Sequence, residues 1–164
     1  MTSLVAADPL TAEAFAPFGD VLEIAEGPFR TINQGRCRRF HDLATLDFDD
    51  GSAGISLFHA EVRMAPYAID LMERHPQGSQ CFVPMQGSDY IVAVAPDDRG
   101  RPGTIHAFLA TGAQAVNYHR NTWHAVLTPV AGTGLFAVVD RIGEGANLEE
   151  HWFDTPVRIE LPER

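Results

Sequence analysis

Short apolar runs separated by glycine and proline make up most of the hydrophobic pattern of this chain. Residues 90–95 are continuously apolar, which is typical of a strand buried on both faces, and residues 55–62 have the composition of a strand. The same reasoning predicts further strands over residues 21–25, 104–109, 123–127, 135–140 and 152–161. The strand over 152–161 is expected at a sheet edge, because Pro156 cannot donate to a central ladder.

Helical signals are scarce. The strongest places Thr11 at an N-cap and Glu13 in the first turn, with a stop at residues 17–19, and predicts one short helix. Many short strands at close spacing, with glycine and proline turns, indicate a sandwich or a barrel. Because no repeat, linker or low-complexity segment interrupts the pattern, we expect one domain spanning residues 1–164.

The charge of the chain excludes some partners. Twenty-two acidic and 12 basic residues give a formal net charge of −10, and such a surface repels phosphate backbones, so nucleic acid is not expected as a partner. A small anion could bind only where a few arginine and histidine side chains converge. No apolar run reaches about 18 residues and no secretion signal is evident, which predicts a cytoplasmic protein without a membrane partner. Cys37 and Cys81 are expected to be buried thiols.

Residues 69–80 concentrate the polar side chains that could carry chemistry. On a strand, side chains alternate between faces, so Ile69, Leu71, Glu73 and His75 are expected to share one face. A turn follows, and Gln80 can return toward the same space. A carboxylate and an imidazole would thus stand side by side next to an apolar pair.

A second polar segment ends in the predicted strand over residues 123–127, with His124 on one face and Trp123 on the other. Simpler interpretations stay open for these residues. Glu73 and His75 can be a surface pair, His124 a core histidine bonded to the backbone, and residues 41–42 a turn. Arg74 has the opposite parity to Glu73 and is expected on the exterior or at an interface.

The two segments resemble the two motifs of the cupin superfamily. Glu73 and His75 stand at the two histidine positions of its first motif, Gln80 at the glutamate position and Gly87 at the glycine. His119, Asn121 and His124 fall at positions of the second motif. The resemblance implies an all-β, cupin-type double-stranded β-barrel (jelly roll) with a short N-terminal helix. It also implies candidate metal ligands, which are Glu73, His75, Gln80 and His124.

A closer resemblance is to the ureidoglycolate lyase family. The blocks that carry it follow the family's order along nearly the whole chain and cover residues 18–21, 32–35, 39–43, 73–76, 80 with 82–85, 117–121, 123–124 and 140–141. The resemblance implies a homodimer that cleaves (S)-ureidoglycolate to glyoxylate and urea in allantoin and purine nitrogen catabolism. It further implies a divalent metal, nickel or manganese, and no organic cofactor.

Ureidoglycolate is a carbinolamine that bears a carboxylate, so its cleavage needs a base, an acid and a cation for the carboxylate. Glu73, His75 and His124 are the candidate catalytic residues, with Glu73 either the base or the group that orients His75. Guanidinium binds carboxylate through two hydrogen bonds, which favours arginine as the anchor. The candidate substrate-binding residues are Arg39, His41, Gln80, His119, Arg120 and Asn121.

Two other functions fit the same residues. An amidohydrolase would attack the ureido carbonyl of the same substrate and release ammonia and carbon dioxide instead of urea. A non-catalytic cupin would bind a small ligand without turnover.

Overall fold

Strands are the main regular element of this structure, a computed structural model that describes residues 3–25 and 27–163. One short helix, α1 (Ala12–Phe15), follows the first strand. The strands are β1 (Leu4–Pro9), β2 (Gly19–Leu22), β3 (Arg30–Ile32), β4 (Cys37–Arg39), β5 (Ser52–His59), β6 (Tyr67–Arg74), β7 (Gln80–Pro84), β8 (Tyr90–Ala95), β9 (His106–Ala110), β10 (Ala115–Tyr118), β11 (Trp123–Ala125), β12 (Thr128–Pro129), β13 (Leu135–Ile142) and β14 (Glu149–Glu160).

Six strands close into a barrel. They follow the order β11-β6-β14-β1-β9-β8, and β8 pairs in turn with β11, so that the ring has no open edge at that point. A second sheet of five strands, β2-β10-β7-β13-β5, packs beside the ring, and β3 and β4 form a separate hairpin. This architecture of strands with one short helix confirms the predicted cupin-type barrel.

Two apolar clusters hold these layers together. The first lies between the five-stranded sheet and the ring and is rich in aromatic rings, among them Phe15, Tyr90 and Phe136. The second fills the ring, since all six of its strands contribute side chains such as Met72 and Trp123. Full burial of each large side chain contributes about 1.5–3 kcal/mol, so both clusters stabilise the fold.

Strand β8 shows why a continuous apolar run was required. It lies between the two clusters, with Val92 and Val94 in the first and Ala93 and Ala95 in the second. Because both of its faces are covered, no polar position alternates along it. The predicted strand over residues 90–95 is confirmed with the same bounds.

The predicted helix is also confirmed. The Thr11 side chain accepts a hydrogen bond from the Ala14 N–H, at 3.2 Å, and so caps the first turn of α1. Phe15 anchors the helix because its side chain is buried in the aromatic cluster. Within the described ranges, no helix is long and apolar enough to cross a membrane.

The prediction of an edge strand near residue 156 is wrong. Strand β14 lies inside the ring, between β6 and β1. Pro156 is accommodated because the pairing with β6 is interrupted between Trp152 and Val157, so its missing N–H breaks no ladder hydrogen bond there. Strand β1, which was not predicted, pairs in parallel with both β14 and β9.

The expected single face of β6 is wrong for Ile69. Ile69 and Met72 both point into the ring, although their positions differ by three and regular alternation would place them on opposite faces, so the alternation changes between them. The change coincides with the shifted pairing of the neighbouring strand β14. Beyond Met72 the alternation is regular, and Glu73 therefore points away from the ring core.

Candidate active site

Three of the predicted side chains meet where β6 and β11 pair. Glu73 near the end of β6 lies directly opposite His124 of β11, and His75 follows two residues after Glu73. Directly opposed residues on antiparallel strands have close side chains. One ligand atom from each of the three residues lies within 4.8 Å of the others.

Backbone carbonyls fix the orientation of both imidazole rings. The His124 Nδ1–H donates to the Ala125 carbonyl at 3.1 Å, and the His75 Nδ1–H donates to the Asn147 carbonyl at 2.8 Å. A carbonyl can only accept, so in each neutral ring the lone pair belongs to Nε2. Both Nε2 atoms are buried and have no hydrogen-bond partner among the described residues.

The cluster therefore presents acceptors that face one another. Glu73 Oε1 lies 3.8 Å from His75 Nε2, and both point toward the same space as His124. Two neutral imidazoles and one carboxylate are the ligand types that bind divalent transition metals and leave positions open for substrate. Donation of the other ring N–H to a carbonyl is typical of metal-binding histidines. The residues thus fit a divalent metal.

Burial shifts the pKa values of this cluster in opposite directions. Desolvation raises the pKa of Glu73, an effect opposed by His75 and reinforced by the nearby Glu150 carboxylate. Desolvation, together with the charge of His75, lowers the pKa of His124 to about 3, although its bond to Ala125 acts the other way. His124, only 1% exposed, is therefore neutral at physiological pH.

Tyr118 forms one wall of the site. Its ring stacks on His124, with centroids 4.2 Å apart and an angle of 6° between the planes. Burial and the charge of Glu73 raise the pKa of its hydroxyl, so it stays protonated.

Gln80, at the start of β7, is buried beside Tyr118 on the neighbouring strand. Its side-chain N–H donates to Asp140 Oδ2 at 3.1 Å, which fixes the amide. The amide oxygen is left buried and without a hydrogen-bond partner in the described part of the chain. Gln80 thus offers an acceptor to a ligand.

His119, Arg120 and Asn121 do not converge on the cluster. His119 directly follows Tyr118, so its side chain points to the other, outer face of the five-stranded sheet. There its Nε2 atom forms a hydrogen bond with Asp20 Oδ1 at 3.1 Å. Arg120 is held by Asp49 at 3.5 Å. Asn121 approaches through its backbone, because its N–H donates to the His75 carbonyl at 2.9 Å.

Arg39 and His41 lie in and just after the β3–β4 hairpin, and both side chains are exposed. Neither makes a hydrogen bond or an ion pair with another of the residues that the structure describes. Asp42 has a left-handed backbone, with φ of 57°, which agrees with the interpretation of residues 41–42 as a turn.

Arg74 corrects a further expectation. It faces away from Glu73 as expected, but it is not exterior, since its side chain is only 13% exposed. Its guanidinium lies over the Trp123 ring, 4.5 Å from the centroid, and bonds Asp97 and Glu149. Arg74 therefore covers one end of the ring core, and of the two neighbouring residues it is Glu73 that faces the site.

Asn147 is the functional residue that sequence reasoning missed. Its backbone carbonyl orients His75, and its side-chain oxygen accepts from the Gln77 N–H at 2.7 Å. A contact made by a backbone carbonyl leaves no signature in the residue types. The glycines at residues 143 and 145 were the only local signal, and they indicate no more than a loop.

Comparison with known proteins places these residues in a family. The family described as ureidoglycolate lyase matches residues 2–160. The chain is 54% identical to a ureidoglycolate lyase of Rhodobacter capsulatus over 154 residues, which cover 93% of this chain and 96% of the relative. It is 48% identical to a ureidoglycolate lyase of a Chelativorans species (98% of each chain) and 46% identical to that of Agrobacterium fabrum (99% of each).

Proposed function

This chain belongs to the ureidoglycolate lyase family and is a lyase, and we propose that it cleaves (S)-ureidoglycolate to glyoxylate and urea where Glu73, His75 and His124 meet. The observation that carries the proposal is the convergence of one carboxylate and two buried, unpartnered imidazole nitrogens. These three groups offer acceptors, so they are complementary to a ligand that brings a hydroxyl, N–H groups or a cation.

Glu73 is the group that we assign to proton transfer. Its side chain is 20% exposed, which lets substrate reach it, and desolvation raises its pKa above that of an ordinary carboxyl group. A carboxylate with a raised pKa is a stronger base at neutral pH. His124 is too weak a base for this task, because its pKa is lowered to about 3.

The reaction balances with one proton carrier. Glu73 removes the proton of the carbinol hydroxyl, the oxygen forms a double bond to carbon, and the carbon–nitrogen bond breaks. The electron pair of that bond leaves with the urea nitrogen, which takes the proton from the Glu73 carboxyl. The products are glyoxylate and urea, and Glu73 returns to its carboxylate form.

The remaining contacts suit a small anion with an ureido group. The free amide oxygen of Gln80 can accept a hydrogen bond from an ureido N–H. An arginine suits the carboxylate, and of the two candidates, Arg39 and Arg120, Arg39 is the one without a carboxylate partner in residues 3–25 and 27–163.

The metal is a further part of the proposal. Glu73, His75 and His124 would hold it, with Gln80 as a weak fourth ligand, and nickel or manganese suits this set. A divalent cation in this position acidifies a hydroxyl and neutralises a carboxylate.

Product analysis tests the reaction. Purified protein with ureidoglycolate should release urea and glyoxylate in equal amounts, with urea measured by its conversion with urease and ammonia measured without urease. Glu73→Gln keeps the size of the side chain but removes the base, and we expect kcat to fall by about 10²–10⁴. Release of ammonia in place of urea would assign the protein to the amidohydrolases, and binding without turnover to the non-catalytic cupins.

Removal of metal tests the cofactor. Protein treated with a chelator, and shown by elemental analysis to be metal-free, should lose activity and regain it with nickel or manganese. His75→Ala and His124→Ala should not regain it, because each lacks one ligand. Full activity of the metal-free wild type would contradict the proposal that the enzyme needs a metal. The proposal that Glu73 transfers the proton would not be affected.

Two properties of the protein complete the proposal. Both cysteines, Cys37 and Cys81, are free thiols, which suits the reducing cytoplasm. The protein acts there as a homodimer.

A further inference from the structure

The β3–β4 hairpin is the least supported part of the fold. From Phe29 to Phe40, every residue is exposed except Cys37 and Phe40, which are half-buried. Among residues 3–25 and 27–163 the two strands pair only with each other, and no backbone hydrogen bond within these residues joins the hairpin to the barrel. A two-stranded hairpin alone is marginally stable in water, so this one requires a surface to pack on.

The hairpin is also strongly basic in an acidic chain. Arg30, Arg36, Arg38 and Arg39 are four of the 12 basic residues of a protein whose net charge is −10. No carboxylate of residues 3–25 or 27–163 lies within 4.0 Å of any of them. Arg30 and Arg39 face each other directly across the two strands, and like charges in that position are destabilising. An anion between them would remove the repulsion.

The five-stranded sheet has an apolar outer face that the described part of the chain leaves exposed at strand β5. Ile55 and Leu57 of the edge strand β5 are 77% and 65% exposed. They align across the strands with Val139, Ala137 and Val83, and the opposite face of the same strands carries the aromatic cluster. A contiguous apolar face of this kind indicates a protein interface.

One end of the same sheet lies beside the active site, which is on the opposite side of the sheet from Ile55 and Leu57. Asp140 of β13 accepts the hydrogen bond from Gln80, and the loop that follows β13 carries Asn147, which orients His75. A segment that packs on the outer face and extends past this end of the sheet therefore comes close to the site.

The arginines bonded around the site are already neutralised. Within the described residues, Arg141 pairs with Asp50, Arg120 with Asp49, and Arg74 with Asp97 and Glu149. A substrate carboxylate would have to displace one of these acidic partners to bind there. The arginines of the hairpin have no such partner among the described residues, so a carboxylate can bind them without displacing one.

From these observations we propose that the hairpin of one chain docks on the outer sheet face of a second copy and places Arg30 and Arg39 at that copy's active site, as a clamp for the carboxylate of the substrate. The inference rests on the proposed function and adds to it that the site is incomplete in a single chain. A two-fold dimer is the simplest arrangement, because each chain offers both the unsupported hairpin and the uncovered face, and both are satisfied at once.

Heterodimers of two defective chains test the proposal. One chain carries His124→Ala and an intact hairpin, and the other carries Arg30→Ala with Arg39→Ala and an intact catalytic cluster. Two different affinity tags allow the heterodimer to be isolated after co-expression. Each parental homodimer should have a kcat/KM for urea release far below that of the wild type. The heterodimer should recover about half of the wild-type kcat/KM, because one of its two sites combines an intact cluster with an intact hairpin.

Several results would overturn the proposal. A heterodimer as inactive as its parents would show that the hairpin serves its own chain, and a monomeric wild type would leave no partner to serve. Wild-type kcat/KM in the double-arginine homodimer would exclude the clamp. If the wild-type protein itself releases no urea, that result contradicts the proposed function and does not bear on the dimer arrangement. Arg99→Ala removes an exposed arginine of another turn and should leave kcat/KM unchanged.

The docking surface has its own test. Leu57→Asp places a charge on the uncovered face and should yield monomers in sedimentation, with a loss of kcat/KM although the catalytic cluster is intact. Met64→Asp changes a side chain that is equally apolar and 85% exposed, but outside that face, and should remain dimeric. A Leu57→Asp protein that stays dimeric and fully active would refute the assigned surface.

Discussion

Replacement of Asn147 by alanine should weaken metal binding without touching a ligand. The Asn147 side chain accepts a 2.7 Å hydrogen bond from the Gln77 N–H, and this bond holds the loop whose carbonyl orients His75. A hydrogen bond of this kind contributes about 0.5–1.5 kcal/mol net. If that free energy is lost from the arrangement that binds metal, the affinity falls by about two- to thirteenfold, and the upper part of this range reaches the usual effect of removing a group that orients a metal ligand.

The measurement is calorimetric titration of chelator-treated protein with Ni²⁺, together with ¹⁵N chemical shifts of the His75 ring. In the wild type those shifts should show the proton on Nδ1, and in Asn147→Ala they should show a mixture of tautomers. Gln77→Ala is the matched control, because it removes only the exposed bond from the Gln77 side chain to the Ala146 carbonyl. It should change the affinity little.

Wild-type metal affinity and an unchanged His75 tautomer in Asn147→Ala would refute this reasoning. They would show that the loop holds its position without the Asn147 side chain, so that the 2.7 Å bond is a consequence of the geometry and not its cause.

Three further predictions follow from burial and charge. Below about pH 6.5 His124 is protonated in the unfolded chain, whereas in the folded chain it is protonated only near pH 3. The free energy of unfolding of the metal-free protein should therefore fall by up to about 1.4 kcal/mol per pH unit as the pH is lowered between those values. In urea denaturation, His124→Gln should reduce this dependence on pH. Burial raises the pKa of the Cys81 thiol to about 11, so a thiol reagent at pH 8 should label only Cys37 in the native protein and both cysteines after denaturation. Arg39→Lys should raise KM substantially, because lysine cannot form two parallel hydrogen bonds with a carboxylate as arginine does. Arg120→Lys should change KM little, since Arg120 is already held by Asp49. Equal KM values for Arg39→Lys and the wild type would exclude Arg39 as the anchor.

The sequence predicted an element of the fold correctly where a single local rule determines its structure. Residues 90–95 had to be a doubly buried strand because no polar residue interrupts them, and Thr11 caps α1 through its own side chain. Strand β1 could not be predicted in this way. It contains Asp8 and Pro9, it buries only Ala7, and its partners β14 and β9 lie far away in the sequence.

The candidate site was predictable in its residues but not in its details. Spacing and strand parity brought out Glu73, His75 and His124, and the motif resemblance raised them above simpler interpretations. The error at Ile69 arose because the irregularity that changes the alternation of β6 belongs to the pairing of another strand. The ring orientations were beyond sequence reasoning, because backbone carbonyls set them.

The parallel pairing of β1 with β14 has a consequence for the order in which this protein can fold. During synthesis β1 leaves the ribosome early, but the strand that fixes it, β14, follows only after nearly all of the others. The ring therefore closes late, and until then β1 and β6 lack a neighbour that both need. Contacts this distant in sequence make folding slow and expose strand edges meanwhile. A nascent chain stalled before residue 149 should accordingly bind chaperones, whereas one released after residue 160 should not.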